Sequence, residues 1–178
     1  MNPADRNSSK WIFADQADEF VSSLLGKVPA RWGRMTPLCR LLIVRTAELL
    51  QNRGLLECGG RFVDSGRTVG LIGGTKRGSL HTDLAFIDSM VGGLPSPALF
   101  GYTLPNIPLA ETAVAFGMTG PVFAVFEKRA PLVKAEQEAR RFLEADRTLE
   151  FMLACDFDHY LMDGQEVISV NLTVVERI

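Results

Sequence analysis

Three groups of residues in this 178-residue chain are of types that can do chemistry. The first is the glycine-rich stretch Gly70-Leu-Ile-Gly73-Gly74-Thr75-Lys76-Arg77-Gly78-Ser79. It follows an apolar run and precedes a helical pattern, the setting in which free backbone N–H groups and a positive helix end hold a phosphate. A P-loop needs Lys directly after its final Gly, however, and here Ser79 follows Gly78; the G-x-G-x-x-G order is absent too. The competing reading is a tight turn that uses glycine's access to positive φ, and the missing motif positions favour it. A small molecule or nucleotide held at Gly73–Ser79, with Gly74 and Ser79 as contacts, is the alternative.

The second group, Cys155-Asp156-Phe157-Asp158-His159, clusters a thiol, two carboxylates and an imidazole. On a strand, Cys155, Phe157 and His159 point one way and Asp156 and Asp158 the other. Two ligands from one strand do not make a metal site, and Asp156, Asp158 and Asp163 miss the spacing of a calcium loop. No metal and no cofactor is therefore expected. Cys155 reads first as a buried structural thiol, with a nucleophile as the alternative. The third candidate is His81, in the first turn of a helix after Ser79. It can act as a base only if the fold brings a nucleophile within hydrogen-bond reach. No G-x-S-x-G elbow, H-E-x-x-H or C-x-x-C is present.

The elements that must position these residues alternate between helix and strand. Residues 1–33 form a mixed N-terminal extension with one short helix, about Asp15–Leu25, on an apolar stripe of Phe20, Leu24 and Leu25. Residues 34–178 read as a single domain. Thr36 as a cap, Pro37 in the first turn and Gly54 at the end bound an amphipathic helix. Its Leu38, Leu41, Leu42 and Leu49 fall on one arc, opposite Arg40, Arg45, Glu48 and Gln51. Residues 55–66 read as a loop, and Thr68–Gly74 as a buried strand.

Ser79 then caps a helix with a seam of Leu80, Leu84, Ile87 and Val91, followed by a long Gly/Pro-rich connection, Gly92–Pro105. Asn106 caps the helix Ile107–Phe116, which Gly117 ends. Pro121–Phe126 is a strand. Pro131–Ala145 is a charged helix that buries Ala135, Ala139, Phe142 and Leu143 and exposes Lys134, Glu136, Glu138, Arg140 and Arg141. Leu149–Phe157 and Gln165–Glu176 form a hairpin through Asp163–Gly164, with Ile168, Val170, Leu172 and Val174 on one face. This order predicts a three-layer α/β/α sandwich with a mixed sheet.

The bulk properties limit the functions available. A composition 47% hydrophobic and 22% charged is that of a folded globule. A net charge of −2 argues for neither nucleic acid nor an anionic membrane surface as partner. No apolar stretch approaches the roughly 20 residues that span a bilayer. Met1–Lys10 is polar, without the hydrophobic segment of a signal peptide. Three widely spaced cysteines, Cys39, Cys58 and Cys155, predict a reduced, cytoplasmic protein.

One block is more specific. Thr68–Pro121 carries the strand and glycine turn Gly73–Gly78, then Ser79, Leu80 and Asp83 opening a helix. Ser96-Pro97-Ala98-Leu99-Phe100, Tyr102-Thr103-Leu104-Pro105-Asn106, Gly117 and Gly120-Pro121 follow. This block resembles the N-terminal domain of β-ketoacyl synthases, and the helix Pro37–Gly54 fits the family's early helix. The resemblance spans most of residues 34–165 and implies the first half of a thiolase-type fold. It also suggests Tyr102 and Asn106 as ligand contacts.

Family members condense acyl thioesters carried on acyl carrier protein or coenzyme A, with a nucleophilic Cys after the Gly-Pro strand. Here that neighbourhood, Glu127 to Pro131, holds no Cys, Ser or Thr. The family's two basic catalytic positions belong to the second half, which the chain does not match. Condensation needs a thiolate to carry the acyl group and donors for the enolate. The resemblance therefore implies a non-catalytic, synthase-like protein of fatty-acid or polyketide-type biosynthesis. Its expected partners are acyl carrier protein, an acyl thioester, a true synthase or a second copy, with Pro121–Phe126 as the pairing edge. The alternative is an acyl-thioester transferase using Cys155 or His81.

Overall fold

β1 (Thr68–Gly78) lies at the centre of the molecule because its side chains alternate between two apolar cores. The computed structural model describes residues 12–14 and 16–177. The polar segment Met1–Lys10 and the helix start at Asp15 lie outside them. Val69 and Leu71 of β1 belong to the larger core, whereas Ile72 belongs to the smaller one on the opposite face. That is the two-residue period of a strand covered on both sides.

The sheet has four strands in the order β2-β1-β3-β4. β2 (Val122–Phe126) runs parallel to β1 at one edge. β3 (Leu149–Met162) is parallel to β1 on its other side, and β4 (Gln165–Val175) returns antiparallel along β3. Asp163 and Gly164 both take positive φ, 52° and 76°, as a two-residue hairpin turn requires. The larger core packs α2 (Pro37–Asn52) and α5 (Asn106–Phe116) against the sheet. α6 (Pro131–Ala145) covers the opposite face with Ala135, Ala139 and Leu143. The three-layer α/β/α sandwich with a mixed sheet is thus present.

α1 (Glu19–Leu25) is capped by Asp18, whose carboxylate accepts from the Val21 amide at 2.9 Å. The segment before residue 34 contributes Val21, Leu25 and Trp32 to the larger core. Cores of this kind gain about 25 cal/mol for each Å² of apolar surface removed from water.

Several expectations need correction. β1 runs past the expected end at Gly74 to Gly78, so the stretch Gly73–Gly78 that also read as a turn is strand. Gly73 and Gly74 are required by close approach: a Cβ on Gly74 would sit 2.0 Å from the Pro131 carbonyl oxygen. Only Gly78 of that stretch has the positive φ, 59°, that the turn reading assumed. β3 likewise extends past Phe157 to Met162. The connection Gly92–Pro105 contains a further helix, α4 (Pro97–Thr103), with Ser96 accepting from the Leu99 amide.

Arg40 is buried, unlike the polar arc to which helical spacing assigned it. Its guanidinium donates to the carbonyls of Trp32 (3.1 Å), Ile12 (3.0 Å) and Ala14 (2.5 Å), so the buried charge is satisfied by backbone outside its own helix. Ser79 and Asn106 do not cap helices. Ser79 makes no capping bond, and Asn106 is already helical, its carboxamide oxygen accepting from the Ala124 amide of β2 at 2.7 Å. The seam on α3 (Leu80–Val91) is not buried either: Leu80, Leu84, Ile87, Met90 and Val91 are all exposed.

Candidate functional site

The three parallel strands end on one edge of the sheet, where open α/β folds place their ligands. At the end of β1 the chain bulges, and its register to β3 shifts between Gly74 and Gly78. Three successive amides, those of Lys76, Arg77 and Gly78, turn inward at the bulge. They donate to one oxygen of Asp158, at 3.1, 2.7 and 3.0 Å. The Thr75 hydroxyl donates to the same oxygen at 2.6 Å, and the Gly78 amide also donates to that hydroxyl's oxygen at 2.6 Å. The concavity of N–H groups that could hold a phosphate is thus filled by the protein's own carboxylate. Gly74 is closed off behind it by Pro131, and Ser79 is buried with a hydroxyl that has no partner among the described residues.

On the opposite side of β3, His159 is 1% exposed. Its Nε2 lies 2.6 Å from Oε1 of Glu166, which stands diagonally across the hairpin opposite Leu161, and its Nδ1 is buried without a partner among the described residues. The His81 ring, in the first turn of α3, stacks on His159 with centroids 4.4 Å apart and planes at 17°. Burial holds the His159 imidazole below the ordinary histidine range; the bond to Glu166 opposes that shift, and the charge of His81 adds to it. His81, His159 and Glu166 each offer a ligand atom within 4.8 Å of the others. Sequence reasoning singled out His81 and His159 separately and missed Glu166. Only the β3–β4 register and the α3 position bring the three together.

Cys155 lies deep in the larger core, fully buried. Burial pushes its thiol up, and Asp156 adds to the shift, the reverse of what a thiolate nucleophile requires. The expected structural role fits that placement. Tyr102 donates its hydroxyl to Glu111 Oε1 at 3.3 Å, and Glu111 Oε2 takes a hydrogen bond from Arg31 at 3.1 Å. Burial, followed by the charge of Glu111, pushes the Tyr102 hydroxyl up to about 12. The Tyr102 hydroxyl and the Asn106 carboxamide oxygen thus bond to other parts of the fold, with Asn106 at the surface. The Arg31–Glu111 pair borders a cavity of about 320 Å³ between α1, α2 and α5 that sequence reasoning did not find.

Between β2 and α6 the chain turns through Glu127-Lys128-Arg129-Ala130. The Glu127 amide donates to the Thr75 carbonyl at 2.9 Å, and the Glu127 carboxylate accepts from the Arg129 amide at 2.8 Å. Elsewhere, α3 and α4 carry an exposed apolar surface: Leu84, Ile87, Met90 and Val91 on α3, Leu94, and Phe100 and Leu104 around α4. The fold places no further layer over α3. Among the described residues, no helix is long and apolar enough to cross a membrane.

Comparison with known proteins gives a consistent result. No curated protein matches the sequence. The chain is similar in structure to the ishigamide ketosynthase/chain length factor, with a TM-score of 0.67 at 18% identity over 88% of this chain and 47% of that one. It is also similar to the ketosynthase ApeO in complex with its chain length factor ApeC from Xenorhabdus doucetiae. There the TM-score is 0.55 at 14% identity, over 84% of this chain and 58% of that one. The chain thus spans about half the length of these structures, and they show its fold to be that of the ketosynthases. Residues 3–126 match the model of the family described as the β-ketoacyl synthase N-terminal domain. With more than half of its residues matched, the chain belongs to the β-ketoacyl synthase N-terminal domain family.

Proposed function

We propose that the protein is a non-catalytic, synthase-like subunit that pairs with a condensing enzyme in fatty-acid or polyketide-type biosynthesis, serving acyl carrier protein thioesters. The observation that carries this reading is the turn between β2 and α6. It connects a strand to a helix, as the family's nucleophile loop does, yet Glu127-Lys128-Arg129-Ala130-Pro131 offers neither thiol nor hydroxyl. A decarboxylative condensation has no group there on which to hold an acyl chain. Cys155 does not replace it, because its sulfur is sealed in the core. The similar structures are named as ketosynthases with chain length factors, which fits a role beside a synthase.

The pairing surface in this reading is the β2 edge with the apolar face of α3. A sheet edge and an exposed apolar stripe of Leu84, Ile87, Met90 and Val91 are the composition of an interface core. Intact-mass spectra after incubation with acyl-CoA and acyl carrier protein thioesters test the absence of catalysis: unmodified mass is expected, and a stoichiometric acyl adduct refutes it. Light scattering tests the pairing. A complex with a ketosynthase that is lost in Leu84→Glu and Ile87→Glu is expected, and separate monomers at every concentration refute it.

A further inference from the structure

The cluster at the end of β3 has no part in that pairing. Its three side chains come from three elements, His81 from α3, His159 from β3 and Glu166 from β4, so the tertiary fold alone assembles them. We propose that His81, His159 and Glu166 form a binding site for one divalent ion of the zinc class. Two imidazoles and one carboxylate are a donor set that zinc accepts, with a fourth position open to water. Magnesium and calcium prefer sites made wholly of oxygen.

The distances bracket what such an ion needs. Bonds of about 2.0–2.1 Å in a tetrahedron place ligand atoms roughly 3.3 Å apart. Here the closest pair, His159 Nε2 and Glu166 Oε1, stands at 2.6 Å, and all three ligand atoms lie within 4.8 Å of one another. Glu166 must withdraw slightly, and His81 must turn, because stacked rings aim their in-plane lone pairs in parallel. Both can adjust. His81 is only partly buried in the first turn of α3, and Glu166 is exposed near the hairpin tip. His159 is the fixed member, packed into the fold.

The cluster lies toward the carboxyl edge of the parallel strands, and the neighbouring Asp158 does not compete for the ion. Its Oδ1 already accepts four hydrogen bonds on the other face of β3.

The test is calorimetric titration of the full chain with zinc, in a Cys58→Ser background that removes the exposed thiol. One ion per chain is expected, with a thermal midpoint that rises with zinc concentration. His81→Ala and Glu166→Gln should each weaken binding by at least about tenfold, the scale on which even supporting residues of metal sites act. Both changes also remove or weaken a contact to the buried His159, so the metal-free variants should melt somewhat below the parent, and binding is read from the titration at a temperature where every variant is folded. Absence of binding, or stoichiometric binding that both variants leave intact, overturns the proposal.

Discussion

Removing the Asp158 carboxylate should destabilise the protein sharply, and the expected size follows from its donors. Four hydrogen bonds converge on one oxygen, from the Thr75 hydroxyl and the amides of Lys76, Arg77 and Gly78. A hydrogen bond to a charged group contributes about 1.5–3 kcal/mol, and a buried donor left unpaired costs about 1–3 kcal/mol. The four are not additive. In Asp158→Ala the Gly78 amide keeps the Thr75 oxygen as acceptor. The Lys76 and Arg77 amides are only part-buried and can recover water in part. A net loss of about 3 kcal/mol remains, a large share of the roughly 5–15 kcal/mol that holds a domain together. Asp158→Asn keeps an oxygen in place and loses the charge, so its cost should be about 1–2 kcal/mol. Urea unfolding followed by far-UV circular dichroism measures both, and unchanged m-values would confirm that the two states are comparable. A loss below about 1 kcal/mol in the alanine variant, or equal losses in both variants, would refute the view that this carboxylate organises the end of β1.

Three further outcomes follow from particular contacts. Gly74→Ala should destabilise by at least the roughly 1–3 kcal/mol of an overpacked core, because its Cβ would meet the Pro131 backbone and not a flexible side chain; the same urea assay reads it. In the native protein a thiol reagent should label Cys58 quickly and Cys39 and Cys155 only after unfolding. Cys58 is exposed, whereas the other two are buried with thiols pushed up by that burial, Cys39 to about 12. Stability should also fall at alkaline pH. Tyr102 keeps its proton up to about 12 in the folded state against an ordinary value of 10.0. Its contribution is therefore complete below pH 10 and lost as the pH rises towards 12. Tyr102→Phe should flatten that part of a stability–pH profile.

The parts of the fold legible in the sequence were those in which local pattern and tertiary packing agree. Pro131–Ala145 has its apolar residues at helical spacing and its proline in the first turn, and α6 has those same bounds. The alternation of Ile168, Val170, Leu172 and Val174 likewise marks the β4 face that meets the larger core. The misreadings arose where distant residues decide. Nothing near Arg40 announces that three carbonyls outside its helix will neutralise its burial. The glycines of β1 signal a turn locally, yet they are set by Pro131 and by Leu109 and Phe157 pressing on the strand. An apolar seam on α3 predicts burial by pattern alone, whereas the fold leaves that face exposed. Of the candidate site, His81 and His159 were visible as residue types, but their stacking and the arrival of Glu166 depend on strand register.

The sheet order also constrains how the chain reaches this structure during synthesis. β1 lies between β2 and β3, and its contacts with β3 join residues as far apart as Thr75 and Asp158, 83 positions along the chain. A ribosome delivers β1 long before the strand that completes its pairing, and such long-range pairing is intrinsically slow. Meanwhile Val69, Leu71 and Ile72 must wait unburied beside an apolar α3. The β3–β4 hairpin, by contrast, closes through a two-residue turn as soon as it emerges. The nascent chain therefore passes through an interval in which its central strand β1 has no neighbour on that side. Apolar surface left exposed in that interval is what makes folding intermediates prone to aggregate until β3 arrives.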